Sequence, residues 1–82
     1  MNDETISEVC EILEYISENT SVPRNIREGS SECIELLNDE DKEETIKIST
    51  VLGRLDGMSN DPNIPVHART LIWEILSKLE SI

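Results

Sequence analysis

Apolar residues recur at helical spacing four times along the chain, and turn formers or acids interrupt each recurrence. In the first stretch Ile6, Val9, Cys10, Leu13 and Ile16 fall three or four apart while Glu4, Glu8, Glu11 and Glu18 line another face, as in an amphipathic helix. Asn2 or Asp3 suits its N-cap, because a short polar side chain accepts from a first-turn N–H. Residues 19–22 break the pattern. Pro23 then begins a second helix running to about Leu37, since proline's fixed φ and missing N–H are harmless in a first turn. Its stripe is Ile26, Cys33, Ile34 and Leu37. Gly29 and Ser30 lie between, weakening the helix but admitting a close neighbour. Residues 38–44 read as a connection and then a first turn, where carboxylates meet the positive end of the helix dipole. A third helix carries Ile48, Val51, Leu52, Leu55 and Met58, with Gly57 near its end. Residues 59–63 stop it, and a fourth helix starts around Pro65 with the stripe Ala68, Leu71, Ile72, Ile75, Leu76 and Leu79.

Displacing the chain on itself by 42 residues brings nine identities into line without a gap: Ile6 with Ile48, Ser7 with Ser49, Val9 with Val51, Leu13 with Leu55, Ser17 with Ser59, Pro23 with Pro65, Arg27 with Arg69, Glu32 with Glu74 and Leu37 with Leu79. Glu14 with Asp56 and Val22 with Ile64 are conservative pairs. The chain reads as one domain, residues 1–82, holding two copies of a helical hairpin at about 3–40 and 45–82. Packed face to face, the hairpins make an all-α antiparallel four-helix bundle. A short HEAT-like stack of two repeats is the alternative, since the period lies in that range.

Composition narrows the function more than it names it. Eighty-two residues lie near the lower limit for a core that holds a fold unaided, so self-association as a homodimer or tetramer is an expected source of extra stability. Eighteen acids against seven bases give a net charge of -11, which repels phosphate backbones and anionic lipid. Neither nucleic acid nor membrane is an expected partner. No apolar run is long enough to span a bilayer, and the acidic start does not read as a secretory signal; a cytoplasmic setting is expected. Cys10 and Cys33 fall on apolar stripes and read as buried, reduced thiols. A bond between them stays open if the first two helices form a hairpin.

The segment "SVPRNIR" and, above all, "SNDPNIPVHARTLIWEILSKLES" at residues 59–81 resemble a family of small archaeal proteins, number 0147 in the uncharacterised protein family series. The resemblance implies an all-helical fold and an archaeal cytoplasmic source. It supplies no activity, cofactor or catalytic residue to carry over. Gly29 and Ser30 depart from the better helix formers it leads one to expect.

Candidate chemistry is sparse. Arg27 and Arg69 stand one turn into the helix after each loop, and the expected role is a repeated ion pair, Arg27 with Glu14 and Arg69 with Asp56. The rival is a small-anion or nucleotide-phosphate site: a bundle puts both Pro loops at one pole, gathering two helix N-termini with Arg24, Arg27, His67 and Arg69. The other pole gathers Asp3, Glu4, Asp39, Glu40, Asp41, Glu43, Glu44 and Glu80 against Lys42 and Lys78, a solvated end or a dock for a basic protein partner. A calcium loop counted from Asp39 would need Gly sixth and Glu twelfth, where the chain has Glu44 and Thr50. One histidine, two cysteines at non-zinc spacing and no phosphate loop compose no catalytic or metal motif. No enzyme and no cofactor are expected. Trp73 borders the core stripe of the fourth helix, either flanking the core or, if exposed, marking a contact surface with Val66, Tyr15 and Ile46. The function these residues favour is a non-enzymatic, acidic protein-interaction or assembly module.

Overall fold

Both Pro-led helices begin one residue after the proline. In a computed structural model, which describes residues 3–82, the elements are α1 (Asp3–Glu18), α2 (Arg24–Leu37), α3 (Glu44–Ser59) and α4 (Val66–Glu80). Pro23 and Pro65 are the N-caps of α2 and α4, with ψ of 147° and 150°. The ring fixes φ at a helical value while ψ stays extended, and each proline carbonyl accepts the first helical bond, from Arg27 N at 3.1 Å and Arg69 N at 3.0 Å. Asp3 is already helical, and Asn2 lies outside the described residues.

Helix adjacency decides between the two architectures. A two-repeat stack would lay α1 on α3 and α2 on α4. Instead α1 packs on α2 and α4, and α3 packs on α2 and α4, with no packing across either diagonal among the described residues. Lys78 near the end of α4 meets Glu8 near the start of α1, so these two helices run antiparallel. The protein is an antiparallel four-helix bundle, 32 × 21 × 19 Å. No described helix is long and apolar enough to cross a membrane.

The core lies on the stripes that the periodicity marks. Val9, Leu13, Ile16, Ile26, Cys33, Val51, Leu55, Ala68, Ile72 and Ile75 are fully buried. Helices α2 and α4 exchange volumes at equivalent positions: α2 has Ile26 then Ser30, α4 has Ala68 then Ile72, and all four are buried. Large opposite small keeps the interior filled without strain. The Ser30 hydroxyl donates to the Ile26 carbonyl at 3.0 Å, so no bare polar group enters the core. Ile34, Leu71 and Leu76 are only half-buried at its edge.

Bonds recur at the 42-residue offset. Ser17 Oγ donates to Glu14 O at 2.9 Å and Ser59 Oγ to Asp56 O at 2.7 Å. Asn19 Oδ1 accepts from Ser21 N at 3.0 Å, and Asp61 Oδ1 from Asn63 N at 2.8 Å. Each loop is thus tied by an Asx turn just before its proline helix.

Gly29 shows what a small residue does on α2: a Cβ there would stand 2.7 Å from Met58 Sδ of α3. Gly29→Leu, which copies onto α2 the residue α4 carries at the equivalent position, is expected to lose about 1–2 kcal/mol net. Overpacking costs about 1–3 kcal/mol and improved helix propensity offsets up to about 1 kcal/mol. Urea unfolding followed by circular dichroism checks this; an unchanged or higher midpoint would mean that Met58 swings aside freely.

Candidate functional site

The two Pro loops share one end of the bundle and are stitched together reciprocally. Asn25 Nδ2 donates to Asp61 Oδ2 at 2.7 Å, and Asn19 Nδ2 meets His67 Nε2 at 3.2 Å. Residues 19 and 61 are equivalent at the 42-residue offset, as are 25 and 67. Each loop residue uses one side-chain atom for its own turn and sends the other across to the start of the opposite hairpin's helix. Because Ser21 already engages Asn19 Oδ1, the amide NH2 faces the ring, and an amide nitrogen only donates; His67 Nε2 is the acceptor. At Asp61 the Asn63 backbone N–H, and then Asn25, hold the carboxyl below its usual pKa.

The expected arginine ion pairs do not form. Arg27 Nε donates to the Val22 carbonyl at 3.0 Å and Arg69 Nε to the Ser59 carbonyl at 3.1 Å. One turn into a helix, the guanidinium folds back over the preceding loop and helix end, where carbonyls lack helical partners. Glu14 and Asp56 stay exposed, and the ion pairs among the described residues are Arg24–Glu28, Arg54–Glu32 and Lys78–Glu8. All four anion candidates therefore do meet at one pole, each with a partner inside the fold: Arg24 has Glu28 at 2.9 Å on an open surface.

At the acidic pole Lys47 is buried, and its Nζ donates to the Leu37 carbonyl at 3.4 Å. A cation thus sits on the C-terminus of α2, the negative end of its dipole. Periodicity could have found it, since Lys47 lies four residues before Val51 and eight before Leu55. Lys78 donates to Glu8 at 2.9 Å, which raises its pKa. Among the described residues no cluster of three or more His, Cys, Asp or Glu is arranged to hold a metal ion. Both cysteines are free thiols. Burial pushes Cys33 up to about 11, Arg54 pulling against it and Glu32 with it; burial and the Glu14 charge raise Cys10. Neither is poised as a thiolate nucleophile at neutral pH.

An open groove of about 720 Å³ runs along the α1–α4 seam, with Ile12 and Tyr15 facing Thr70 and Leu71. The Glu8–Lys78 pair lies toward one end and the Asn19–His67 contact toward the other. The α2–α3 seam is its counterpart at the 42-residue offset, and there the hollow is about 290 Å³. Arg54 stands for Ile12, Gly57 for Tyr15 and Gly29 for Leu71. Arg54 also crosses to Glu32, Nη2 to Oε2 at 2.6 Å. The equivalent of Glu32 is Glu74, which is exposed, has Ile12 where the other seam has an arginine, and belongs to none of the ion pairs among the described residues.

Of the expected contact residues, Tyr15 lines the groove and is 56% exposed. Val66 and Trp73, 76% and 56% exposed, flank Thr70 on the outer face of α4, so Trp73 is a surface residue and not a rim of the core. Ile46 is exposed on α3, the helix diagonal to α1, and does not join them. Sequence reasoning missed Ile12 and treated Leu71 as core. The signal lay in the differences between the halves: Ile12 against Arg54, Tyr15 against Gly57 and Leu71 against Gly29 all converge on one seam.

Comparison with known proteins bears on the whole chain. The sequence model of the Uncharacterised protein family (UPF0147) matches residues 1–82. A UPF0147 protein of Methanothermobacter thermautotrophicus is 58% identical over 82 residues, which is all of this chain and 80% of that protein. One from Pyrococcus furiosus is 40% identical over 81 residues, 98% of this chain and 87% of the relative. The crystal structure of a protein from this family from Thermoplasma acidophilum matches with a TM-score of 0.93 at 36% identity, covering 98% of this chain and 94% of the other. A second crystal structure, of a protein of unknown function, matches with a TM-score of 0.93 at 39% identity over 100% and 93% of the two chains.

Proposed function

The chain belongs to the uncharacterised protein family UPF0147, and from that premise we propose that it is a non-enzymatic interaction module that docks a protein partner through the α1–α4 groove and the adjoining face of α4. The observation that carries this reading is the contrast between the two seams. Equivalent positions place Arg54 and two glycines on one seam and Ile12, Tyr15 and Leu71 on the other. A bundle needs no exposed tyrosine beside a half-buried isoleucine along a furrow to be stable. Apolar side chains held at a groove, with Trp73 and Val66 beside it, are what a partner's side chains bury against.

The Pro-loop pole supports a small-anion site less well, because Arg27, Arg69 and His67 tie the loops and Arg24 is paired with Glu28. Elevated thiol pKa values and an engaged histidine favour a binding role over catalysis. Two free thiols suit a reducing, cytoplasmic setting.

Benzophenone photo-crosslinking tests the reading. Purified protein carrying benzoylphenylalanine at position 70, in the groove, or at position 28, its equivalent on α2, is irradiated in archaeal cytosol. A discrete protein adduct from position 70 and none from 28 is expected. Identical adduct patterns from both, or none from position 70, would overturn it.

A further inference from the structure

Resting on that docking reading, we propose that the occupant of the groove is a basic amphipathic helix of the partner, with its apolar face on Ile12, Tyr15 and Leu71 and one cationic side chain against Glu74.

Length sets the form of the occupant. From Glu8, in the ion pair beyond one end of the groove, to Glu18 at the end of α1, the axis advances about 15 Å at 1.5 Å per residue. That fits about three turns of helix, enough for apolar anchors at i, i+3 or i+4, and i+7. Charge sets its composition. Helix α1 carries six carboxylates and no base, Glu11 lines the groove itself, and Lys78, the one lysine of α4, is already paired with Glu8. A second copy of this chain would bring a further net charge of -11 to the same acidic wall, and like-charge juxtaposition opposes that association.

The molecule also holds a template for the contact. On the α2–α3 seam the Arg54 guanidinium lies against Glu32. On the groove side the acid is Glu74, which lies in the field of Lys78 but is not bridged to it, because Lys78 is engaged by Glu8; Ile12 stands where the other seam has its arginine. A partner's arginine or lysine placed as Arg54 is placed would restore the pair, while the rest of its helix covers the apolar floor.

A displayed library of helical peptides, with apolar anchors at i, i+4 and i+7 and all flanking positions randomised, is selected on the purified chain. Expected binders carry Arg or Lys one turn from an anchor and have net positive charge. They should lose about tenfold in affinity on Glu74→Lys and regain it when that peptide residue is changed to Glu. Glu74 and Tyr15 are exposed, so Glu74→Lys and Tyr15→Glu should fold, which circular dichroism verifies. Neutral or acidic binders that are lost on Tyr15→Glu but unmoved by Glu74→Lys would overturn the basic helix and leave the groove reading standing. Binders unmoved by either variant, or no binders, would overturn both. Sedimentation as a dimer that Tyr15→Glu converts to monomer would assign the groove to a second copy and overturn the proposal.

Discussion

Leu13→Ala and Leu55→Ala should each remove about 2–5 kcal/mol of folding free energy and lower Tm on the order of 20 °C. The two residues are equivalent at the 42-residue offset, one on α1 and one on α3, and both are fully buried. Each deletion takes away the transfer free energy of a leucine side chain and leaves a cavity that helices held on two sides collapse into only partly. A chain of this length has roughly 4–12 kcal/mol in total at 0.05–0.15 kcal/mol per residue. One substitution therefore removes a large share, and the double variant should not fold at 37 °C. Thermal and urea denaturation of the three variants checks this. A loss below about 1 kcal/mol at either position would mean that the described core is not the one that holds the fold.

Helix positions and core stripes were legible because burial imposes a 3.6-residue period that the sequence must obey. Val9, Leu13, Ile16, Val51, Leu55, Ile72 and Ile75 are all read this way and all buried. Partner choices were less legible. Arg27 and Arg69 were expected on carboxylates, yet a main-chain carbonyl leaves no mark in side-chain identities, and only the folded loop shows that Val22 and Ser59 present theirs. Lys47 stands on the stripe of Val51 and Leu55, where its stem buries like an aliphatic residue, but its acceptor, a helix end ten residues away in sequence, leaves no mark in side-chain identities.

Adjacency was the other hidden quantity. Tyr15 and Ile46 looked like members of one surface because both stood off the main stripes, and the square arrangement of helices separates them onto diagonal elements. The groove needs α1 beside α4, which periodicity within each helix does not reveal. Its residues were nevertheless detectable as departures between the halves, because Ile12 against Arg54, Tyr15 against Gly57 and Leu71 against Gly29 change the chemistry of one seam. Gly29, read as a weak point of α2, is where the Met58 side chain of α3 packs against bare backbone.

Making the two seams alike tests whether the difference between them carries docking. Ile12→Arg copies Arg54 onto the groove side, within reach of the acid equivalent to Glu32. The arginine stem covers part of the floor and its guanidinium meets Glu74. Lost apolar burial at a half-buried site and a surface ion pair worth about 0–1 kcal/mol roughly cancel, so stability should move little. The decisive measurement is photo-crosslink yield from position 70 in the Ile12→Arg background, with Tm read alongside. The expected result is an unchanged fold and a yield reduced about tenfold or more, equivalent to at least about 1.4 kcal/mol of binding free energy. A folded Ile12→Arg protein that crosslinks at the wild-type yield would mean that the groove is not the docking site.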